Sequence, residues 1–135
     1  MDDLFHADPI EFLLERLPAI RDVYSLRAPL LYAHGNPHVV YGSILVDFLH
    51  SLAAARSEAN RAETDSILFR AFNLIDYLSS SEQIEFQNLA ETSVLEGLLG
   101  ERGGMEQFAP YMGSATKRLA KRIADRWALD FSILD

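Results

Sequence analysis

What most constrains this chain is the interval between its large apolar residues. Val40, Ile44, Phe48, Leu52 and Ala55 recur at three or four positions, with Leu45 and Leu49 widening the stripe. Leu68, Phe72, Ile75 and Leu78 repeat the interval, and so do Leu119, Ile123 and Trp127. An α-helix advances by roughly 100° per residue, so this spacing lays the apolar side chains along one helical face. A half-buried strand needs strict alternation bounded by hairpin turns, and no segment has it. The fold class read from the pattern is all-α, a compact bundle of about five to six helices. The 135 residues fit a single domain, 1–135, within the usual range of roughly 100–150 residues.

Starts and stops agree with the stripes. Asp8-Pro9-Ile10-Glu11 combines a capping acid, a proline suited to the first helical position and a glutamate three residues after the cap. Phe12, Leu13 and Leu17 follow, and Pro18 should end that helix. Residues 21–36, with Tyr24, Leu26, Leu30, Leu31 and Tyr32, read either as a short helix or as an extended segment touching the core. Asn36 and Pro37 open the next helix, and the polar run Arg56–Glu63 closes it. A further helix covers 64–78, after which Ser79-Ser80-Ser81 breaks the chain and Ser80 with Gln83 forms a capping box.

The helix expected over 82–99 turns Ile84, Leu95, Leu98 and Leu99 inward, and regular projection puts Asn88 in that stripe. Phe86 and Leu89 point away, toward a second helix or a partner. A glycine-rich loop over 100–104 and a short turn over 105–111 lead to a last helix capped by Ser114. The tail 128–135 carries Phe131, Ile133 and Leu134, suited to packing back on the body. The segments 37–78 and 82–127 have the size of two stacked helix hairpins.

Chemistry is sparse. The chain has no cysteine, which removes disulfides, thiolate nucleophiles and cysteine-bound zinc. Its acidic, interrupted start lacks the basic and apolar regions of a secretory signal. Apolar runs at 39–49 and 67–78 fall short of the ~20 residues of a membrane helix. The expectation is a soluble, cytoplasmic protein with no cofactor. His34 and His38 are four apart, but Gly35 and Pro37 make that segment a turn, and no HExxH accompanies it. A metal enzyme built on this pair is the weakest of three readings. His6 and His50 stand alone. Serines fall at caps and breaks, and there is neither GxSxG nor a phosphate-binding loop. No residue is assigned a catalytic role.

Charge is the remaining signal. The net charge is −8, and residues 63–106 hold most of the excess acid, with only Arg70 and Arg102 against them. Lys117, Arg118, Lys121, Arg122 and Arg126 make the last helix basic. That helix suits pairing with acidic neighbours better than nucleic acid, given the overall charge. Glu82, Glu85, Glu91, Glu96, Glu101 and Glu106 line one helix and the loop after it. Such a surface would steer and orient a basic partner.

Three ordered stretches carry a resemblance: Tyr41-Gly42-Ser43-Ile44-Leu45-Val46-Asp47-Phe48-Leu49, then Leu68-Phe69-Arg70-Ala71-Phe72-Asn73-Leu74-Ile75-Asp76-Tyr77-Leu78, then Gln87-Asn88-Leu89-Ala90-Glu91-Thr92-Ser93-Val94-Leu95-Glu96-Gly97-Leu98. A Phe-x-x-Ile-(Asp/Glu) helix followed by a Gln-Asn…Leu-Glu-x-Leu helix resembles small, uncharacterised bacterial helical proteins. That group includes candidate immunity proteins of polymorphic and contact-dependent toxin systems. Val94-Leu95-Glu96 stands where the group has Phe-Leu-Glu. The resemblance implies a protein that binds a cognate toxin domain, often a basic nuclease, and blocks it. The six glutamates are then the expected partner-binding residues, with no catalysis, no nucleic acid and no membrane. The alternative from another class is a helical scaffold or adaptor that self-associates as a homodimer.

Overall fold

The computed structural model describes residues 8–33, 35–100 and 104–127. Among them there is no strand, and seven α-helices form one bundle. The helix α1 spans Pro9–Arg16, and a 3-10 turn at Pro18–Ile20 leads directly into α2, Arg21–Arg27. The central helices are α3, Pro37–Ala55, and α4, Arg61–Ser79. Helix α5 covers residues 84–99, the short α6 is Gly104–Phe108, and α7 is Ser114–Trp127. The count exceeds expectation because α2 and α6 are each little more than a turn or two long.

Several expected caps are in place. The Asp8 carboxylate accepts from the Ile10 amide at 2.8 Å, and the Asn36 side-chain oxygen accepts from the Val39 amide at 3.4 Å. Leu17 and Pro18 end α1 as anticipated. Two caps differ. After α4 it is Ser81, not Ser80, whose hydroxyl accepts from the Gln83 amide, while the Ser80 hydroxyl donates back to the Tyr77 carbonyl. At α7 the cap comes from another helix: Asp76 of α4 accepts from the Thr116 amide at 2.9 Å and from its hydroxyl at 3.0 Å. Ser114 is the first residue of that helix rather than its cap.

Helices α3 and α5 each contain a π-helical stretch, at Val40–Leu45 and Leu89–Leu95. A π turn accommodates one more residue than an α turn and rotates everything beyond it about the helix axis. This overturns the stripe expected for α5. Ile84 is 61% exposed and Asn88 is exposed as well. The inward face is instead Phe86, Leu89, Ala90, Val94, Leu95, Leu98 and Leu99. Phe86 and Leu89 therefore serve the helix–helix contact. In α3 the same effect buries Tyr41 and Val46 while Ala55 lies outside.

The two π stretches pack on each other. Small residues permit it: a Cβ on Gly42 would meet the Ser93 carbonyl oxygen at 3.2 Å, and one on Gly97 would meet Val46 Cγ2 at 3.1 Å. Both expected helix pairs, α3 with α4 and α5 with α7, are in contact, and α4 also packs on α1, α5 and α7. The core is centred on Leu13, Ile20, Tyr41, Ile44, Leu49, Leu68, Phe72, Ile75 and Phe108. The Tyr41 hydroxyl donates to the Pro9 carbonyl at 2.7 Å, tying α3 to α1, and burial pushes its phenol pKa upward, with the charge of Asp8 adding to the rise. By length and composition α3 would also suit a membrane span; in this bundle its apolar side chains lie against α4 and α5.

Candidate functional site

The six glutamates do not form one surface. Glu82, in the turn before α5, and Glu85, in its first turn, are exposed, with Ile84 and Asn88 beside them. Residues 84, 85 and 88 lie on one face, because Asn88 is four residues from Ile84 and three from Glu85, and positions three and four apart are neighbours around a helix. At this end the chain presents two carboxylates around an exposed branched apolar side chain.

From the π stretch onward the arrangement changes. The Glu91 side chain is only 10% exposed and is gripped by two arginines of α7: Arg126 at 2.8 Å and Arg122 at 3.4 Å. Arg126 also reaches Glu96 at 3.1 Å. Glu91 and Glu96 are five residues apart, and five residues share a face only where a π turn takes up the extra residue. The π turn thus aims both carboxylates at one guanidinium. The basic helix is here the internal counter-charge of the acidic one, as its composition suggested.

Glu106 lies at the other end. It is exposed on α6, which packs against the last turn of α5, roughly 20 Å along the helix axis from Glu85 at 1.5 Å per residue. It lines a separate hollow with Arg56, Asp65, Phe69 and Tyr111. There Asp65 accepts from Arg56 through both oxygens, at 2.7 and 3.1 Å, and from the Tyr111 hydroxyl at 2.7 Å. Hydrogen bonding by Arg56, then by Tyr111, lowers the Asp65 pKa to about 2. Partial burial and the bond to Asp65 raise that of Tyr111. Glu101 lies outside the described residues.

The histidines form no site among the described residues. His38 Nδ1 lies 2.7 Å from the Ser93 hydroxyl, fastening the start of α3 to the π turn of α5; His34 and His6 lie outside the described residues. His50 meets Phe108 edge-on at 5.5 Å. The tail 128–135 also lies outside the described residues.

A surface not singled out by charge sits on α2 and the turns after it. Leu26, Leu30 and Tyr32 are 73%, 78% and 90% exposed, with Leu31 beside them. Tyr32 takes a positive φ of 52°, a left-handed conformation uncommon for a bulky residue and one that stores strain. The apolar run was visible in the sequence, where it read equally well as core.

The family follows from comparison. A family model, domain of unknown function DUF7674, matches residues 10–128. The chain belongs to that family. No curated protein and no solved structure matches it.

Proposed function

We propose that this DUF7674 protein is an immunity-like binder that acts in the cytoplasm by seizing a basic toxin domain and blocking it, without catalysis of its own. The observation that carries the reading is the start of α5, where Glu82 and Glu85 are exposed around Ile84. Charges left free at the surface speed encounter with an oppositely charged protein, and an exposed apolar side chain at their centre supplies the anchoring contact. The contact surface is therefore drawn smaller than the six glutamates, because Glu91 and Glu96 already have partners in α7.

The test begins with the product of the open reading frame beside this gene, since an immunity gene normally adjoins its toxin. Its C-terminal domain should bind tightly, with association slowing steeply as salt rises. Changing Glu82 and Glu85 together to lysine should cut the association rate at low salt by about tenfold or more, and Ile84→Asp should speed dissociation. Unchanged kinetics in both variants would remove this surface from the proposal, and absence of any complex would remove the function.

A second reading is self-association, favoured by the exposed Leu26, Leu30 and Tyr32. Clustered apolar side chains on a surface mark an interaction site. Sedimentation equilibrium separates the two readings: a dimer dissolved by Leu30→Asp supports self-association, and a monomer at all concentrations rejects it.

A further inference from the structure

On the side of the molecule where α1 packs on α4, the two helices border an open hollow of about 400 Å³ lined by Phe12, Arg16, Arg70, Asn73, Leu74 and Tyr77. The lining follows from helical spacing. Phe12 and Arg16 are four apart on α1, and Asn73, Leu74 and Tyr77 stand three, four and seven residues after Arg70 on α4, so each helix turns one face to the gap. The volume falls within the range of small-ligand pockets, roughly 300–1,000 Å³.

Its chemistry is unlike the rest of the surface. The chain has 20 acidic residues against 12 lysines and arginines, yet among the described residues the hollow is lined by two arginines and no carboxylate. The Arg16 guanidinium lies 4.9 Å from the centre of the Phe12 ring and 5.6 Å from that of Tyr77. Stacking of this kind fixes the planar group through its face and leaves its N–H edge available for hydrogen bonds. Among the described residues neither Arg16 nor Arg70 has an ion pair; Arg70 also lines an adjoining hollow together with Glu63. Arg27, Arg56, Arg122 and Arg126, by contrast, are all committed to carboxylates. Asn73 adds an amide that both donates and accepts, and Phe12, Leu74 and Tyr77 add apolar wall.

We propose that this hollow is a binding site for a small amphipathic oxyanion, a carboxylate or phosphate group carried on an apolar body. The two guanidiniums and Asn73 hold the oxygens, with the fork geometry that suits either anion, and the aromatic and aliphatic walls hold the body. The site is independent of the acidic start of α5 and requires no toxin partner.

The experiment titrates the intact protein with four probes, phenyl phosphate, benzoate, inorganic phosphate and phenol, and follows the side-chain N–H resonances of Arg16, Arg70 and Asn73 by nuclear magnetic resonance. Phenyl phosphate or benzoate should shift these resonances saturably, and whichever binds more tightly identifies the anion. Phenol, without the charge, and inorganic phosphate, without the body, should each bind at least about tenfold more weakly. Arg70→Gln and Arg16→Gln should each weaken binding by a similar factor. Arg118→Gln, on the exposed side of α7, should leave it unchanged. Equal binding of phenol overturns the anion, and equal binding of inorganic phosphate overturns the amphipathic ligand. Wild-type affinity in Arg70→Gln, or no shift with any probe, overturns the site.

Discussion

Glu82 and Glu85 at the start of α5 stand exposed, whereas Glu91 and Glu96 further along the same helix are held by arginines of α7. In the sequence these four residues make one acidic run. What separates them is the π stretch at Leu89–Leu95, which turns the second pair toward the bundle and leaves the first pair at the surface. Charge counted along a chain therefore measures composition, and only the phase of the helix decides which charges are free to meet a partner.

The sharpest way to break this comparison is to strip the inner pair of its counter-charge. Changing Arg122 and Arg126 together to alanine leaves Glu91 nearly buried and unpaired. Breaking a buried pair in this way costs about 3–5 kcal/mol, and the half-exposed arginines place the expected loss near the lower figure. A urea titration reads it directly. If the double variant matched wild type, Glu91 would be solvated and the two halves of α5 would not differ.

The inner pair also depends on where α7 begins. Asp76 sets that point through its two bonds to Thr116, so Asp76→Ala should cost about 0.5–2 kcal/mol, the usual range for a lost helix cap. Gly113→Ala should act through the same residue, because a Cβ there would lie 2.6 Å from the Asp76 carboxylate and push it off the amide. Combining Asp76→Ala with Gly113→Ala should then cost little more than Asp76→Ala alone, and full additivity would show that the two act separately.

These features also mark how far the sequence could be read. The spacing of Leu68, Phe72, Ile75 and Leu78, the proline after α1 and the Asp8 and Asn36 caps are local, and local rules located them. The π turns are not local in this sense. No residue type announces one, and a projection at 100° per residue carried across it exchanges inside for outside, as happened at Ile84 and Asn88. The capping of α7 by Asp76 joins residues 40 apart, which no pattern near Ser114 contains. Glu91 left one clue: its five-residue spacing from Glu96 matches a π turn facing a helix whose arginines are four apart. The basic hollow was out of reach because Arg16 and Arg70 come together only once α1 packs on α4.

Asp65 offers a third case between the two halves of α5, a partly exposed carboxylate fully engaged by Arg56 and Tyr111. Its pKa is lowered from the usual carboxylate range, near 4, to about 2. A depressed folded pKa gives stability that is present above the unfolded value and is lost as pH falls through the folded one. The contribution of Asp65 should therefore be complete above about pH 5 and disappear between about pH 4 and 2. The difference in stability between wild type and Asp65→Asn, followed from pH 6 to 2, should shrink across that window. A difference independent of pH would mean that Asp65 acts by packing rather than by charge.

The smallest effect on folding should come from the residues given the most weight in binding. Replacing Glu82 and Glu85 by lysine breaks no hydrogen bond or ion pair among the described residues; it reverses only the charge–dipole interaction at the start of α5, about 0.3–1 kcal/mol per charge, so the urea midpoint should move little. A change this small is what makes the binding test readable. The change would shift the net charge of the proposed surface by +4 while leaving the bundle intact, so slower association with a basic partner could not be traced to loss of fold. A clear loss of stability would instead show that these carboxylates, like Glu91, have work inside the molecule, and the contrast between the two ends of α5 would disappear.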